Sequence, residues 1–146
     1  MSSAPLKVAV ISTGWISSLA IRAIVKRPHL ELVGVWVHSP EKTGRDAGEV
    51  VGIDPIGVTT TNDLDDIISL KPDCVVYGAA SAEMDAAAVR DYVRLLNGGL
   101  NIVTTNTAGN DVPRQVDSRT RKSSARGRTG GRGYDLHVGY RARVRR

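Results

Sequence analysis

The stretch Lys7-Val8-Ala9-Val10-Ile11-Ser12-Thr13-Gly14-Trp15-Ile16-Ser17 decides the fold, because it predicts a strand, a turn and a helix start in immediate succession. Val8 to Thr13 predict a buried strand that runs into the turn, and Gly14 precedes the helix. Backbone N–H groups at the start of a helix lack intrahelical partners and carry partial positive charge. Such a position favours the binding of a phosphate group.

This turn matches only part of the dinucleotide fingerprint G-x-G-x-x-G. Ser12 and Ser17 stand at the first and third glycine positions. Gly14 stands at the second, where the missing side chain lets the backbone approach the phosphates. Two interpretations therefore stay open: a dinucleotide-binding turn, or a plain strand–turn–helix without a ligand.

Strands and helical segments alternate over the first part of the chain. Strands are predicted over about 6–12, 31–37, 57–60, 73–79 and 101–105, and helices over about 15–27, 44–51, 62–69 (with Asn62 as N-cap) and 82–97. The apolar face of the first helix is predicted to hold Ile16, Leu19, Ala20, Ala23 and Ile24. This alternation predicts an α/β fold, a Rossmann-like doubly wound parallel sheet with helices on both faces.

Charge divides the chain into a domain over 1–113 and a basic tail over 114–146. The first part holds 9 Lys and Arg against 13 Asp and Glu, a balance of −4, and the second holds 11 against 2, a balance of +9. Residues 118–133 contain Ala125 as their only apolar side chain, so the tail is predicted to be disordered. Tyr134 to Val144 shows a weak alternation of apolar residues among arginines.

The tail supports an alternative function, nucleic-acid binding. Arg126-Gly127-Arg128 and Gly130 to Tyr134 are similar to an RGG segment, and Tyr134 and Tyr140 could stack on bases. A tail of this charge also binds polyanions without specificity. A non-catalytic Rossmann module is a third possibility.

Several function classes receive no support from the sequence. No apolar run approaches the ~18 residues of a membrane helix, so no membrane association is expected. No signal peptide is visible, and the single cysteine, Cys74, fits a reducing, cytoplasmic setting. His29 and His137 lack partners at metal-ligand spacing, and neither a metal site nor a catalytic residue is predicted.

Small and polar residues follow the strands that would border a ligand crevice. In a doubly wound sheet the crevice opens where the carboxyl ends of the first and fourth strands lie side by side. This arrangement places Ser12-Thr13-Gly14 opposite Gly78-Ala79-Ala80-Ser81. Thr104 to Gly109 would lie next in line, where hydroxyl and amide groups could hold a nicotinamide carboxamide or a ribose, unless they form an ordinary strand exit.

The end of the second strand bears on the choice of cofactor. A carboxylate at this place binds the adenosine ribose 2′-hydroxyl and favours NAD. Here the first polar groups are His38 and Ser39, followed by Glu41 and Lys42. This environment tolerates a 2′-phosphate and favours NADP over NAD, although Glu41 could reverse the preference.

The order of these segments resembles the N-terminal domain of the dihydrodipicolinate reductase family, especially its actinobacterial relatives and the 2,4-diaminopentanoate dehydrogenases. The likeness covers about residues 5–110. The segments that carry it are Lys7 to Ser17, Leu30 to Val35, His38-Ser39-Pro40-Glu41-Lys42, Gly44-Arg45-Asp46-Ala47-Gly48-Glu49, Gly57 to Thr59 and Thr104-Thr105-Asn106-Thr107-Ala108-Gly109.

The resemblance implies a Rossmann domain that binds NADP or NAD. Carried over by position, the cofactor contacts are Thr13, Gly14, Trp15 and Ile16 for the pyrophosphate, His38 and Ser39 for the adenosine ribose, and Gly78, Ala79, Ala80, Thr105, Asn106 and Thr107 along the nicotinamide side. In the family, hydride passes to an imine-like carbon of an amino-acid-derived substrate.

Two departures from the family pattern matter. A side chain at Ser17 is expected to separate the first helix from the sheet. Family members continue into a second domain that binds substrate, and nothing after Pro113 resembles it. The chain is therefore expected to be truncated and inactive alone, with a tail that is similar to an out-of-frame translation.

Overall fold

The computed structural model describes residues 4–79, 85–105, 134–137 and 141–144. The strands are β1 (Leu6–Ile11), β2 (Leu30–Trp36), β3 (Thr60–Thr61), β4 (Cys74–Tyr77), β5 (Ile102–Thr104), β6 (Tyr134–His137) and β7 (Arg141–Val144). The helices are α1 (Trp15–Ile24), α2 (Ala47–Val50), α3 (Leu64–Ser69) and α4 (Asp85–Asn97), with a 3-10 turn over Pro40–Lys42.

The strands form one sheet in the order β3-β2-β1-β4-β5-β7-β6. The first five are parallel to one another, and β7 and β6 continue the sheet antiparallel. The chain runs from β1 outward through β2 to β3 and then returns to β4 on the other side of β1. The predicted doubly wound α/β fold is confirmed, with its switch point between β1 and β4.

Apolar cores cover both faces of the sheet, as the nearly continuous hydrophobic strands require. On one face α1 and α2 pack against the sheet, and the buried residues are Val8, Val10, Ile21, Ile24, Leu32, Val35, Val37, Ala47 and Val51. On the other face α3 and α4 pack, around Ala9, Ile11, Leu64, Ile67, Val75, Tyr77, Ala88, Tyr92, Leu95, Leu96, Leu100 and Ile102.

Two local predictions were wrong in detail. The buried face of α1 consists of Ser17, Ile21 and Ile24, whereas Ile16 and Leu19 are 39% and 48% exposed. The helical spacing predicted the burial of Ile24 correctly but missed Ser17 and Ile21, because a serine occupies the position nearest the sheet. The N-cap of α3 is Asp63 rather than Asn62, since the Asp63 carboxylate accepts the N–H of Asp65.

Two segments of the predicted disordered tail are strands. β7 pairs with β5, and β6 pairs with β7, so this hairpin covers what would be an open edge of the sheet. The weak alternation over Tyr134 to Val144 was the sequence signal for them. Residues 114–133, with the RGG-like segment, lie outside the described residues. Among those that are described, no helix has the length and apolar character needed to cross a membrane.

Candidate dinucleotide-binding site

The strand ends predicted to border the crevice lie side by side. Ile11 at the end of β1 is in register with Tyr77 at the end of β4, and Gly78 N–H donates to the Ile11 carbonyl over 3.3 Å. Tyr77 is in turn level with Thr104 in β5. The structure therefore brings Ser12, Gly78 and Thr105 to one edge of the sheet, as predicted.

Gly14, between this edge and α1, is a glycine that the fold does not require. Its φ and ψ of −66° and −178° are open to any residue. A Cβ atom there would meet only the Ser12 Oγ, at an ordinary 3.4 Å. No side chain caps the start of α1, so its first backbone donors are available to a ligand. The site thus fits a phosphate group that approaches the bare backbone.

Ser12 adopts the backbone conformation of the glycine that it replaces. Its φ is +84°, in the left-handed region, where a residue with a Cβ is strained by roughly 1–2 kcal/mol. The Ser12 hydroxyl accepts the Gly14 N–H at 3.1 Å, and the Ser12 N–H donates to the Trp36 carbonyl at 2.8 Å. These bonds keep the turn in the shape of the fingerprint although its first glycine is missing.

Ser17 is fully buried between α1 and the sheet without separating them. Its hydroxyl donates to the Ile11 carbonyl over 3.1 Å. A Cβ atom on Gly78 would lie 2.2 Å from the Ser17 Oγ, so the side chain occupies space that Gly78 leaves free. The expected separation does not occur, because the close approach needs one glycine, and Gly78 directly after β4 supplies it instead of the helix.

On the side predicted for the adenosine ribose, Lys42 reaches the turn after β1. Its Nζ lies 3.4 Å from the Thr13 Oγ1, and both residues are half-buried. His38 is exposed, with its ring centroid 6.1 Å from that of Trp36, and Ser39 is half-buried. Lys42 follows the strand end in the sequence, but it is not among the predicted cofactor contacts. Only the fold shows that the 3-10 turn aims it at Thr13.

On the side predicted for the nicotinamide, two tyrosines fix α4 to the strand ends. The Tyr77 hydroxyl donates to Asp91 at 2.8 Å, and the Tyr92 hydroxyl lies 3.1 Å from the Thr104 hydroxyl. Their rings meet edge to face at 4.7 Å. Burial, reinforced by the Asp91 carboxylate, raises the pKa of Tyr77 well above its ordinary value. Tyr77 therefore holds its proton and serves as a structural donor.

The remaining predicted contacts differ in how far the structure describes them. Trp15 and Ile16 are 75% and 39% exposed at the start of α1. Thr105 is exposed at the sheet edge. Ala80, Asn106 and Thr107 lie outside the described residues. Within the described part of the chain, no group of three or more His, Cys, Asp or Glu side chains could hold a metal ion.

A second loop, over 44–57, surrounds a carboxylate of its own. Asp46 accepts the N–H groups of Ile56 at 3.0 Å, Gly57 at 2.7 Å and Gly48 at 2.7 Å. These bonds, that of Ile56 above all, hold the pKa of Asp46 below its ordinary value of 3.8. The segment Gly44 to Glu49, which carried much of the family resemblance, is thus a structural anchor in this chain.

Comparison with known proteins identifies the family. The model for the family "Dihydrodipicolinate reductase, N-terminus" matches residues 6–109, well over half of the chain. The chain belongs to this family. It carries the NAD(P)-binding Rossmann domain of dihydrodipicolinate-reductase-like oxidoreductases, and the predicted resemblance is confirmed.

Two relatives show how much of a family member's length this chain matches. An amine dehydrogenase of Streptomyces virginiae is 37% identical over 100 residues, which cover 68% of this chain and 28% of that protein. A 4-hydroxy-tetrahydrodipicolinate reductase of Synechocystis is 34% identical over 83 residues, 57% of this chain and 30% of that protein. The chain thus matches less than a third of the length of either relative.

Solved structures agree with this assignment. The amine dehydrogenase from Mycobacterium smegmatis superposes with a TM-score of 0.62 at 25% identity, over 68% of this chain and 29% of that chain. GenD2 from gentamicin A biosynthesis, solved in complex with NAD, gives 0.55 at 17% identity, over 70% of this chain and 27% of that chain. The second likeness is one of fold alone.

Proposed function

We propose that this chain binds a nicotinamide dinucleotide along the carboxyl edge of its sheet and acts as the cofactor domain of an oxidoreductase. The observation that carries the proposal is Gly14, which is exposed, unstrained and without any packing need for glycine. The fold does not require glycine at position 14, but a phosphate that must approach the backbone does.

In this proposal the contacts follow one another along the cofactor. Thr13, Gly14, Trp15 and Ile16 bind the pyrophosphate at the start of α1, where backbone donors and the helix dipole favour an anion. His38 and Ser39 hold the adenosine ribose at the end of β2. The nicotinamide half lies along Gly78, Ala79 and Ala80 and toward Thr105, Asn106 and Thr107.

NADP(H) is the preferred cofactor in this proposal. The polar groups that follow β2 at once are an imidazole and a hydroxyl, and neither repels a 2′-phosphate as a carboxylate would. Both forms remain ligands of the same site, since the pyrophosphate and the nicotinamide contacts are common to NAD and NADP.

The cofactor, when bound, supplies hydride chemistry. The chain's own contribution is to orient the nicotinamide and to stabilise the phosphates. As in the family, the hydride acceptor is an imine-like carbon of an amino-acid-derived small molecule. In the family, a second domain binds that substrate, and the part proposed for residues 1–113 is to bind the cofactor.

The test is a thermal-shift titration of the full chain with NADPH, NADH, NADP+ and NAD+ up to millimolar concentration. A ligand at 100 times its Kd stabilises the folded state by about 2.7 kcal/mol, so the melting temperature should rise with concentration. Tripolyphosphate is the control, because the +9 tail binds polyanions weakly and in a salt-sensitive way. The proposal fails if no dinucleotide shifts the transition more than tripolyphosphate does at 0.15 M salt.

A further inference from the structure

We infer that a small cavity between the C-terminal end of α1 and the segment over 53–56 binds an apolar amino acid in its zwitterionic form. The cavity has a volume of about 260 Å³. Because α1 is 10 residues long, its two ends are about 15 Å apart, and the cavity lies at the end away from Gly14. The inference therefore goes beyond the proposed function and does not depend on cofactor binding.

Charged groups of both signs line this cavity without pairing with one another. Arg22 and Lys26 lie four residues apart on the α1 side, and Asp54 lines the cavity from the segment over 53–56. Within the described part of the chain, neither Lys26 nor Asp54 makes an ion pair or a side-chain hydrogen bond. A ligand that carries both an anionic and a cationic group thus finds partners that the fold leaves unused.

The guanidinium of Arg22 is held in place at the edge of the cavity. Its Nη2 donates to the carbonyl of Val51, the residue that follows α2. A guanidinium has five N–H donors in a rigid fork, so donors remain beside this bond for a carboxylate. Arg22 therefore offers an oriented anion partner, and its bond to Val51 joins α1 to the opposite wall.

That opposite wall is already ordered by backbone hydrogen bonds. The Ile53 N–H donates to the Gly48 carbonyl at 2.9 Å, and the Ile56 N–H donates to the Asp46 carboxylate at 3.0 Å. Both isoleucines are half-buried and pack against the core between α1 and the sheet. A ligand at this wall does not have to order a loop, a cost that would otherwise reduce its affinity.

Apolar side chains complete the lining and restrict the size and class of the ligand. They are Val25, Ile53, Pro55 and Ile56, of which Val25 is 40% exposed. The cavity is smaller than the about 300–1,000 Å³ that hold drug-sized ligands, so it suits a small metabolite. Inorganic phosphate would gain nothing from these side chains, and a simple carboxylic acid would leave Asp54 unpaired.

An amino acid with a branched aliphatic side chain satisfies the whole lining. Its carboxylate pairs with Arg22 and Lys26, and its ammonium pairs with Asp54. Its side chain covers the apolar wall, which removes that surface from water. L-Leucine has these three parts and serves as the probe.

The experiment is an NMR titration of the full chain that follows its backbone amide signals. L-Leucine should bind saturably in the millimolar range, shifting the signals of Ile53 and Ile56 and leaving those of Gly14 and Gly78 unchanged. The analogues 4-methylpentanoate, without the ammonium, and 3-methylbutylamine, without the carboxylate, should each bind at least about twofold more weakly. Glycine, without the side chain, should cause no saturable shift.

Two charge variants separate the partners of the zwitterion. Lys26→Gln should weaken L-leucine and 4-methylpentanoate alike, by about two- to fivefold, because an ion pair open to water contributes little. Asp54→Asn should weaken L-leucine by a similar factor without weakening 4-methylpentanoate. Lys71→Gln, which changes an exposed lysine directly after α3, is the matched control and should change neither affinity.

The other outcomes overturn the inference. Equal affinity for L-leucine and 4-methylpentanoate would show that Asp54 binds no ammonium. Shifts that do not saturate, or that centre on Gly14 and Gly78, would show that the cavity is not the site. Affinities that neither variant changes would remove the charged partners. Melting temperatures of the free variants close to that of wild type verify that each is folded, and dinucleotide binding is measured separately, so either proposal can fail alone.

Discussion

The turn over 12–17 and the loop over 44–57 are two places where backbone N–H groups converge, and they differ in what fills them. In the loop, the donors of Ile56, Gly57 and Gly48 all end on the Asp46 carboxylate. In the turn, the start of α1 has no side-chain cap, and the Lys42 ammonium lies 3.4 Å from the Thr13 hydroxyl. The loop satisfies its donors with a carboxylate of its own, whereas in the turn the Gly14 N–H bonds to the neutral Ser12 hydroxyl and no side chain caps the start of α1.

The glycines of the two regions show the same difference. A Cβ on Gly48 would lie 2.2 Å from the Asp54 carbonyl oxygen, so packing requires glycine there. A Cβ on Gly14 would meet only one hydroxyl at 3.4 Å. Substitutions in the loop should therefore change stability but not affinity, and substitutions in the turn should do the reverse.

The largest expected effect on stability comes from Gly48→Ala. The added methyl group meets main-chain atoms, which cannot move without opening the loop. The free energy of unfolding should therefore fall by about 3 kcal/mol. Chemical denaturation measures this change. Affinity for NADPH, measured well below the melting temperature, should stay within about threefold of wild type. A loss of affinity larger than the loss of stability would contradict the separation of the two regions.

Gly78→Ala should cost somewhat less, about 2 kcal/mol, because the atom it meets at 2.2 Å is the Ser17 side-chain oxygen, whereas the Ser17 backbone N lies at 3.3 Å. The double variant Ser17→Gly/Gly78→Ala removes the clash. It should recover more than half of that loss although it introduces a helical glycine, as a double-mutant cycle of denaturation curves would show. Additive effects would contradict the account of how α1 approaches the sheet without the third fingerprint glycine.

A smaller, pH-dependent effect is expected for Asp46→Asn. Because the pKa of Asp46 is lowered in the folded protein, its ionised carboxylate adds stability above 3.8, its value in the unfolded chain. That contribution disappears as the pH falls through the lower folded pKa. The difference in unfolding free energy between wild type and variant should thus be constant from pH 5 to 7 and shrink below pH 3.8. A difference independent of pH would show that the charge of Asp46 is not what holds the loop.

The sequence predicts the fold well because the signals are local. Alternating strands and helices, and continuous apolar strands such as β2, specify a doubly wound sheet without knowledge of contacts. The crevice follows from topology, which places Ser12 opposite Gly78 as soon as the strand order is known.

What the sequence could not show depends on pairs of residues that are distant in the chain. Ser17 conflicts with the fingerprint until Gly78 is seen beside it. The contact of Lys42 with Thr13 can be seen only in the structure, where the Lys42 carbonyl accepts a hydrogen bond from the Thr60 hydroxyl. Likewise, the apolar stripe of α1 was misplaced because a buried serine carries no hydrophobic signal, although its hydroxyl is satisfied by the Ile11 carbonyl.

In the proposed function, the turn after β1 leaves room at Gly14 because a dinucleotide phosphate binds there. The most direct measurement is NADPH binding by calorimetry to wild type and to Gly14→Val, alongside the melting temperature of each free protein. The account predicts a wild-type complex that weakens at least about 100-fold in the variant, because the side chain blocks the backbone donors. The melting temperature should fall only slightly, by the loss of a favourable N-cap residue, since the φ and ψ of Gly14 accept valine. Undiminished binding by a folded Gly14→Val chain would contradict the account.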